Sequence, residues 1–181
     1  FLGSNYANEL IYNQLEYKNA NFIFVTPDNC LETLREQSIK DGKTLIISTY
    51  GIYRGFKKIY RDNVPVGQEK FASTLDGLEY YGEDISLSSI NQSFDLLITG
   101  ASAVSNNGVR FGKGHGFFDL EWGMFSDMNY VNEKTMVYAV IHEVQKVDFD
   151  LEPSETDILV DRIFTNNKMY ITNRVLKRPS G

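Results

Sequence analysis

Hydrophobic and polar residues alternate along the chain in blocks that predict helices and strands in turn. Residues 5–18 carry apolar side chains at helical spacing, which predicts an N-terminal helix. Four short, continuous apolar runs are each typical of a buried strand, and they span residues 21–26, 43–48, 94–99 and 136–141. A further strand is expected within residues 158–165.

The segments between these runs carry helix and turn signals. A helix is expected between the first two runs, where Asp41 and Gly42 end it, and another from about Gly116 to Met128. Residues 49–70 contain several glycines and are predicted to be irregular, as is the loop over residues 101–115. Residues 71–91 fit neither a helix nor a strand pattern clearly.

Continuous apolar strands that alternate with helices indicate a mostly parallel sheet covered on both faces, and so an α/β fold. The length of 181 residues suits one domain over residues 1–181, with a helical segment over about residues 1–20. In such sheets, ligands bind outside the carboxyl ends of the strands. The loop that follows residues 94–99 leaves from that end.

Charge and cysteine content narrow the function. The net charge of −6 argues against a general nucleic-acid or membrane-surface binder, because both need a basic face. Cys30 is the only cysteine, which rules out an internal disulfide or a cysteine metal cage and fits a reducing, cytoplasmic location. No apolar run reaches the length that crosses a membrane.

The segment Gly108–Asp119, with the sequence GVRFGKGHGFFD, carries the strongest chemical signal. Four of its glycines fall within nine residues, so that backbone N–H groups can converge on phosphate oxygens. Arg110 and Lys113 add positive charge, and the N-terminus of the helix that follows favours anions. The spacing matches neither a Walker loop nor a dinucleotide-binding motif. We therefore predict a phosphate-binding loop, with a glycine-rich surface loop as the alternative.

Other polar clusters have both a functional and a structural interpretation. One acidic group could share a magnesium ion with Asp119 or form a solvated loop, and it consists of Asp148, Asp150, Glu152, Glu155, Asp157 and Asp161. A basic, aromatic stretch over residues 50–61 could bind an anionic substrate or form a solvated amphipathic turn. His115 lies inside the glycine segment, whereas His142 ends a predicted strand and is expected to be structural.

The glycine segment resembles the G-x-R-x-G-x-G-x-G-Y-Y-D signature of the 5-formyltetrahydrofolate cyclo-ligase (methenyltetrahydrofolate synthetase) family. The residues His-Glu-Val-Gln at 142–145, then Pro153, Asp157, Asp161 and Thr165 follow in an order similar to the family's. The resemblance covers roughly residues 30–170. It implies a three-layer α/β sandwich with a mostly parallel sheet, related to the ribose-phosphate isomerase and CoA-transferase group.

The resemblance also implies a reaction. The family uses ATP and Mg²⁺ to phosphorylate the formyl oxygen of 5-formyltetrahydrofolate, a reduced folate; ring closure and loss of phosphate then form 5,10-methenyltetrahydrofolate. By the family's pattern, Arg110 and Lys113 are catalytic, and Asp119 and Asp157 bind the metal. The implied cofactor-binding residues are Arg110, Phe111, Gly112, Lys113, Gly114, His115, Gly116, Phe117 and Phe118.

Several residues depart from the family pattern. Phe117 and Phe118 replace two tyrosines, His115 replaces a glycine, and Thr156 replaces a histidine. The run from residue 112 to 124 is similar to a divergent branch, the methenyltetrahydrofolate synthetase domain-containing type. Two alternatives therefore remain: a non-catalytic or repurposed nucleotide- or folate-binding member, and a sugar-phosphate isomerase-like enzyme.

The resemblance leaves two functional contacts to be assigned. The candidates for the folate pocket are the aromatic residues Tyr50, Tyr53, Phe56 and Trp122. The basic N-terminal stretch through which the family contacts ATP is not evident near residue 1, so we expect either that it lies outside this numbering or that Arg35 stands near that contact in the fold.

Overall fold

The structure is a computed structural model, and it describes residues 2–49, 55–111, 117–154 and 157–174. In chain order, the described elements begin with α1 (Ser4–Tyr12), α2 (Leu15–Asn19), β1 (Phe22–Val25), α3 (Glu32–Lys40) and β2 (Thr44–Ser48). They continue with β3 (Phe56–Ile59), α4 (Glu69–Ala72), α5 (Leu75–Tyr81), β4 (Glu83–Ile85) and β5 (Leu96–Gly100). The remaining elements are β6 (Ala103–Val104), β7 (Arg110–Phe111), α6 (Phe117–Asp127), β8 (Met136–Val140), β9 (Arg162–Phe164) and β10 (Met169–Ile171).

Eight of these strands form one sheet in the order β10-β9-β8-β5-β1-β2-β3-β4. The five strands from β9 to β2 run parallel to one another, and the strands outside them pair antiparallel. Strands β6 and β7 form a separate two-stranded ribbon. The predicted α/β fold with a mostly parallel sheet is therefore confirmed.

Successive residues of each strand face opposite sides of the sheet, and both sides are covered. On one side, Ile23 and Val25 of β1 pack with side chains of α1 to α5. On the other side, Phe22 and Phe24 pack against α6. The residues that α6 contributes to this second core are Phe118, Trp122 and Phe125. The expected three layers are thus helices, sheet and helix.

The apolar runs mark the central strands well, because β1, β2, β5 and β8 each lie within or at the edge of one. The predicted N-terminal helix is interrupted, since Gln14 is extended between α1 and α2. Gly42 has a φ of +80° just after α3, where an L side chain would be strained, and it ends that helix as expected.

The prediction of irregular structure over residues 49–70 is wrong where β3 and α4 form. Within the basic stretch, Phe56–Ile59 form strand β3 and not a solvated turn, while residues 50–54 lie outside the described residues. Lys57 is 7% exposed, and its ammonium pairs with Asp84 of β4 at 2.6 Å and with Glu79 at 3.4 Å. The predicted loop over residues 101–115 likewise contains β6 and β7.

Among the residues that the structure describes, no helix combines the length and the apolar character that crossing a bilayer requires.

Candidate functional site

Charged side chains converge where the parallel strands β1, β2 and β5 reach their carboxyl ends. We call Asp28, Arg110, Asp119, Glu121 and Asp157 the charged cluster. Its members come from the loop after β1, from β7, from the first turns of α6 and from the segment before β9. This is the end of a parallel sheet at which ligands bind in α/β folds.

Arg110 lies at the centre of the cluster and is 4% exposed. Its Nη2 donates to Asp119 Oδ1 at 2.6 Å, and its guanidinium lies 4.7 Å from the centre of the Phe118 ring. Burial lowers the pKa of Arg110, while the negative charge of Asp119 opposes that shift. Asp157 and Asp28 also act on Arg110 electrostatically, so the buried cation is surrounded by carboxylates.

Asp119 joins three parts of the chain. It lies in the first turn of α6, binds Arg110 of β7 and accepts a hydrogen bond from the Ile158 N–H at 3.2 Å. The adjacent Asp157 accepts from the Ser154 N–H at 2.8 Å. Three of the residues named from the sequence, Arg110, Asp119 and Asp157, therefore lie in one neighbourhood.

Asp28 follows β1 and was missed as a site residue. Its Oδ2 accepts hydrogen bonds from the Thr26 hydroxyl and from the Gly100 N–H, the latter at 3.2 Å. A β-carbon at position 100 would lie 3.1 Å from the Asp28 carboxyl group, so glycine permits this close approach. The carboxylate thus joins the ends of β1 and β5.

Arg35 holds the loop that carries Asp28. Its Nη1 donates to the carbonyl oxygens of Thr26 at 3.1 Å and Asp28 at 2.9 Å, and its Nε donates to Ser73 O at 2.9 Å. Burial lowers the pKa of Arg35 to about 10, which still leaves the guanidinium charged at neutral pH. The side chain is fully buried and these bonds go to backbone carbonyls, so it supports the loop of the site, and a contact of Arg35 with ATP stays a prediction.

Glu121 is the second member that sequence reasoning missed. Its side chain is 1% exposed, and it is hydrogen-bonded to Ser48 at the end of β2. Burial raises the pKa of Glu121 to about 7; the charge of Asp28 adds to the rise and that of Arg110 opposes it. Glu121 follows Phe118 by three positions on α6, and this spacing along an apolar helix face is the signal that could have identified it.

Gly108, the first glycine of the motif, has a steric explanation. Its φ is +85°, and a β-carbon there would lie 2.3 Å from Val160 O. Its own carbonyl accepts from the Val160 N–H at 2.9 Å. This glycine therefore fixes the glycine segment against the chain that leads from Asp157 into β9.

Some predicted residues lie outside the described residues, namely Gly112, Lys113, Gly114, His115, Gly116, Tyr50, Tyr53, Arg54, Glu155 and Thr156. The backbones of Phe111 and Phe117 belong to β7 and α6. Phe118 is 4% exposed and stacks on Phe24, with 6.3 Å between ring centres. Its described contacts are packing contacts beneath Arg110, and a contact with nucleotide stays a prediction.

The other aromatic candidates are part of the core. Phe56 and Trp122 are 4% and 2% exposed and pack in the same cluster as α6, so their described contacts are core contacts, and a place in a folate pocket stays a prediction. His142 is structural as predicted, because its Nδ1 accepts from the Val144 N–H at 3.2 Å.

The acidic residues that the sequence analysis grouped together, between positions 148 and 161, make different contacts in the structure. Asp148 is exposed and pairs with Lys146, whereas Asp161 binds the Val137 N–H and the Arg174 side chain. Within the described ranges, no group of three or more histidine, cysteine or acidic residues could hold a metal ion.

Comparison with known proteins supports the family resemblance of the glycine segment. The model of the 5-formyltetrahydrofolate cyclo-ligase family matches residues 2–166. The chain belongs to this family. The "Methenyltetrahydrofolate synthase domain-containing protein" of Homo sapiens is 34% identical to it over 187 residues, which cover 100% of this chain and 48% of the human protein. The Danio rerio protein of the same name is 33% identical, over 87% of this chain and 42% of that protein.

These relatives carry the name of the divergent branch that the glycine segment resembled, so both parts of the resemblance are confirmed. This cyclo-ligase family chain spans about half the length of the curated relatives that it matches.

Solved structures of low sequence identity share the fold. The 5,10-methenyltetrahydrofolate synthetase of Aquifex aeolicus superposes with a TM-score of 0.60 at 18% identity, covering 97% of this chain and 84% of that one. The 5,10-methenyltetrahydrofolate synthetase of Mycoplasma pneumoniae gives a TM-score of 0.53 at 11% identity, over 92% and 85% of the two chains. The family fold is therefore retained throughout most of the chain.

Proposed function

We propose that this chain is an ATP- and Mg²⁺-dependent 5-formyltetrahydrofolate cyclo-ligase that forms 5,10-methenyltetrahydrofolate. The observation that carries the proposal is the buried Arg110–Asp119 pair, which flanks the glycine motif in a chain of the cyclo-ligase family. A sugar-phosphate isomerase uses no ATP, so it would not need a metal-binding carboxylate beside its phosphate-binding loop.

The surroundings of Arg110 favour binding of a transferring phosphoryl group. Phosphoryl transfer depends on positioning and on neutralising negative charge, which a cation does most effectively when water is excluded. Arg110 is such a cation, and α6 begins at Phe117 directly after the glycine motif, so that its N-terminus favours an anion. The nucleotide would contact residues 110–118, with Lys113 as a second cation.

The carboxylates fit magnesium that arrives with a nucleotide. Mg²⁺ is commonly held by one or two carboxylates together with substrate phosphates and water. Asp119 and Asp157 would supply those carboxylates. When bound, the ion would neutralise phosphate charge at the transferring group.

The reaction would proceed in two steps. The formyl oxygen attacks the terminal phosphorus of ATP, and ADP leaves. The neighbouring folate nitrogen then attacks the formyl carbon and loses its proton, and the ring closes. The bond from that carbon to the former formyl oxygen breaks, so that this oxygen and the proton leave as hydrogen phosphate. In both steps the role of Arg110 is to hold and neutralise the phosphoryl oxygens.

A direct assay tests the proposal. The protein would be mixed with ATP, Mg²⁺ and 5-formyltetrahydrofolate, and formation of methenyltetrahydrofolate followed by its absorbance. We expect turnover that is absent without ATP and that falls at least tenfold in Arg110→Lys, because lysine cannot reproduce the planar fork of donors. Turnover no faster than the reaction without protein would reject the proposal.

One observation favours a second candidate function, a non-catalytic nucleotide- or folate-binding protein. Phe117 and Phe118 carry no hydroxyl where the family has two tyrosines, so neither can supply a phenolic proton. Binding of ATP or folate without turnover would support this candidate. Activity that appears on Phe117→Tyr would then trace the loss to that hydroxyl.

A further inference from the structure

Two buried polar atoms of the charged cluster have no hydrogen-bond partner within the part of the chain that the structure describes. They are Oε2 of Glu121 and Nε of Arg110. The two residues are 1% and 4% exposed, so bulk water does not reach them. One atom is an acceptor and the other a donor, and their side chains are close enough to interact electrostatically.

A core role does not explain the carboxyl group of Glu121. The neighbouring α6 side chains that pack against the sheet, Phe118, Trp122 and Phe125, are all apolar. A leucine or methionine at position 121 would continue that face without the desolvation cost that a buried carboxyl group carries. Buried polar atoms in folded proteins normally have a partner, so the open oxygen indicates a missing one.

Charge indicates which chemistry this partner has. Asp28 acts on Glu121 electrostatically and disfavours further negative charge there, and Arg110 already pairs with Asp119. A phosphate oxygen beside Glu121 would meet two carboxyl groups. A neutral N–H donor would instead satisfy Oε2, and a carbonyl beside it would satisfy Arg110 Nε.

We propose that Glu121, held by Ser48, is a specificity-determining residue that accepts a hydrogen bond from the ring N–H of the reduced folate. This inference rests on the proposed function. A reduced folate carries a ring N–H next to a ring carbonyl, which matches one open acceptor and one open donor. Glu121 Oε2 and Arg110 Nε therefore recognise the folate, while the Nη groups of Arg110, Lys113 and the glycine motif act on the nucleotide.

Binding measurements on variants test this assignment. Glu121→Gln and Glu121→Met would be compared with the native chain by calorimetry, using 5-formyltetrahydrofolate and a non-hydrolysable ATP analogue with Mg²⁺ as separate probes. Glu83→Gln, on an exposed edge strand, is the matched control. We expect Glu121→Met to weaken folate binding by about tenfold or more, since methionine cannot accept the hydrogen bond from the ring N–H. Nucleotide affinity should change less than twofold.

A thermal-unfolding readout separates recognition from a structural role. If Glu121 serves the ligand, its replacement should leave the melting temperature unchanged or raise it, because a desolvated carboxyl group is removed. A lower melting temperature with equal loss of both probes would assign Glu121 to the scaffold and overturn the inference. Unchanged folate affinity would also overturn it.

Binding and turnover by the native chain distinguish failure of this inference from failure of the proposed function. If it binds folate without turnover and Glu121→Met weakens that binding, the cyclo-ligase proposal fails and the inference stands. If it turns over and the variants keep the native KM for 5-formyltetrahydrofolate, the inference alone fails. If it binds neither probe, both are rejected.

Discussion

Arg110 Nη2 and Asp119 Oδ1 lie 2.6 Å apart and join strand β7 to the first turn of α6. Arg110 is the third residue and Asp119 the last of the run from which the family signature was identified, so the pair fixes these two parts of the run relative to each other. Their side chains are largely shielded from solvent, which protects the interaction from screening by salt. The same residues that are proposed to act on phosphate therefore also stabilise the fold.

Breaking the Arg110–Asp119 pair should lower the stability of the fold. Asp119→Asn leaves the Arg110 guanidinium buried without its counter-charge, and we expect a loss of about 3 kcal/mol in the free energy of unfolding. Asp148→Asn is the matched control, because Asp148 also pairs with a cation, Lys146, but is exposed. That control should change stability by less than about 0.5 kcal/mol. Urea denaturation measures both, and equal effects would show that burial of the Arg110 pair contributes nothing.

The first glycine of the motif should be intolerant of a side chain for steric reasons alone. Gly108→Ala places a β-carbon against the Val160 backbone and also strains a φ of +85°, so we expect a loss of at least about 2 kcal/mol. Gly67→Ala is the control, since Gly67 has a φ of +93° with no atom within 4 Å of the added carbon.

Gly67→Ala should therefore lower the free energy of unfolding only through backbone strain, by about 1 kcal/mol. Chemical denaturation of both variants, without any ligand, gives the comparison. Equal losses would mean that the contact between Gly108 and Val160 is easily relaxed, and the glycine would then require a different explanation.

The sequence was a good guide to those elements whose identity depends on local pattern. The run at residues 94–99 predicted β5 because a continuous apolar segment of that length suits a buried strand. Strand β3 was missed because two lysines interrupt its apolar pattern. One of them, Lys57, is buried only because Asp84 of the neighbouring strand neutralises it, and no local signal reveals such a partner.

The same limit applies to the site. Arg110, Asp119 and Asp157 were identified because they belong to a motif or follow it in a known order. Asp28 lies 72 residues from the Gly100 N–H that it binds, and Glu121 hydrogen-bonds to Ser48 on a different strand. Their roles arise from the crossover of the parallel strands, which places the ends of β1, β2 and β5 side by side.

Cys30 should react slowly in the native protein. Burial, with a further contribution from Asp28, raises the pKa of its thiol to about 12, so little thiolate exists at pH 8. Its alkylation by iodoacetamide at that pH should be about a thousandfold slower than in the denatured chain, in line with the thiolate fractions. The chain has one cysteine, so mass spectrometry reports on it alone. A native rate within tenfold of the denatured rate would contradict the shifted pKa.

The stability of the protein should fall as pH rises from about 4.5 to about 7 through the titration of Glu121. Because burial raises the pKa of this carboxyl group from 4.5 to about 7, the native state holds a proton in that interval that the unfolded chain has lost. The contribution of protonated Glu121 to the free energy of unfolding is fully present below pH 4.5 and is lost above about pH 7. The full difference is at most about 3 kcal/mol.

Glu121→Gln removes this titration. We expect its free energy of unfolding to match that of the native chain near pH 4, to exceed it increasingly up to about pH 7, and to keep that difference to pH 8, as measured by urea denaturation at several pH values. Glu83→Gln should follow the native curve, because Glu83 is exposed. If the native and Glu121→Gln curves remain parallel from pH 5 to pH 8, Glu121 has an ordinary pKa and its carboxyl group is better solvated than its burial indicates.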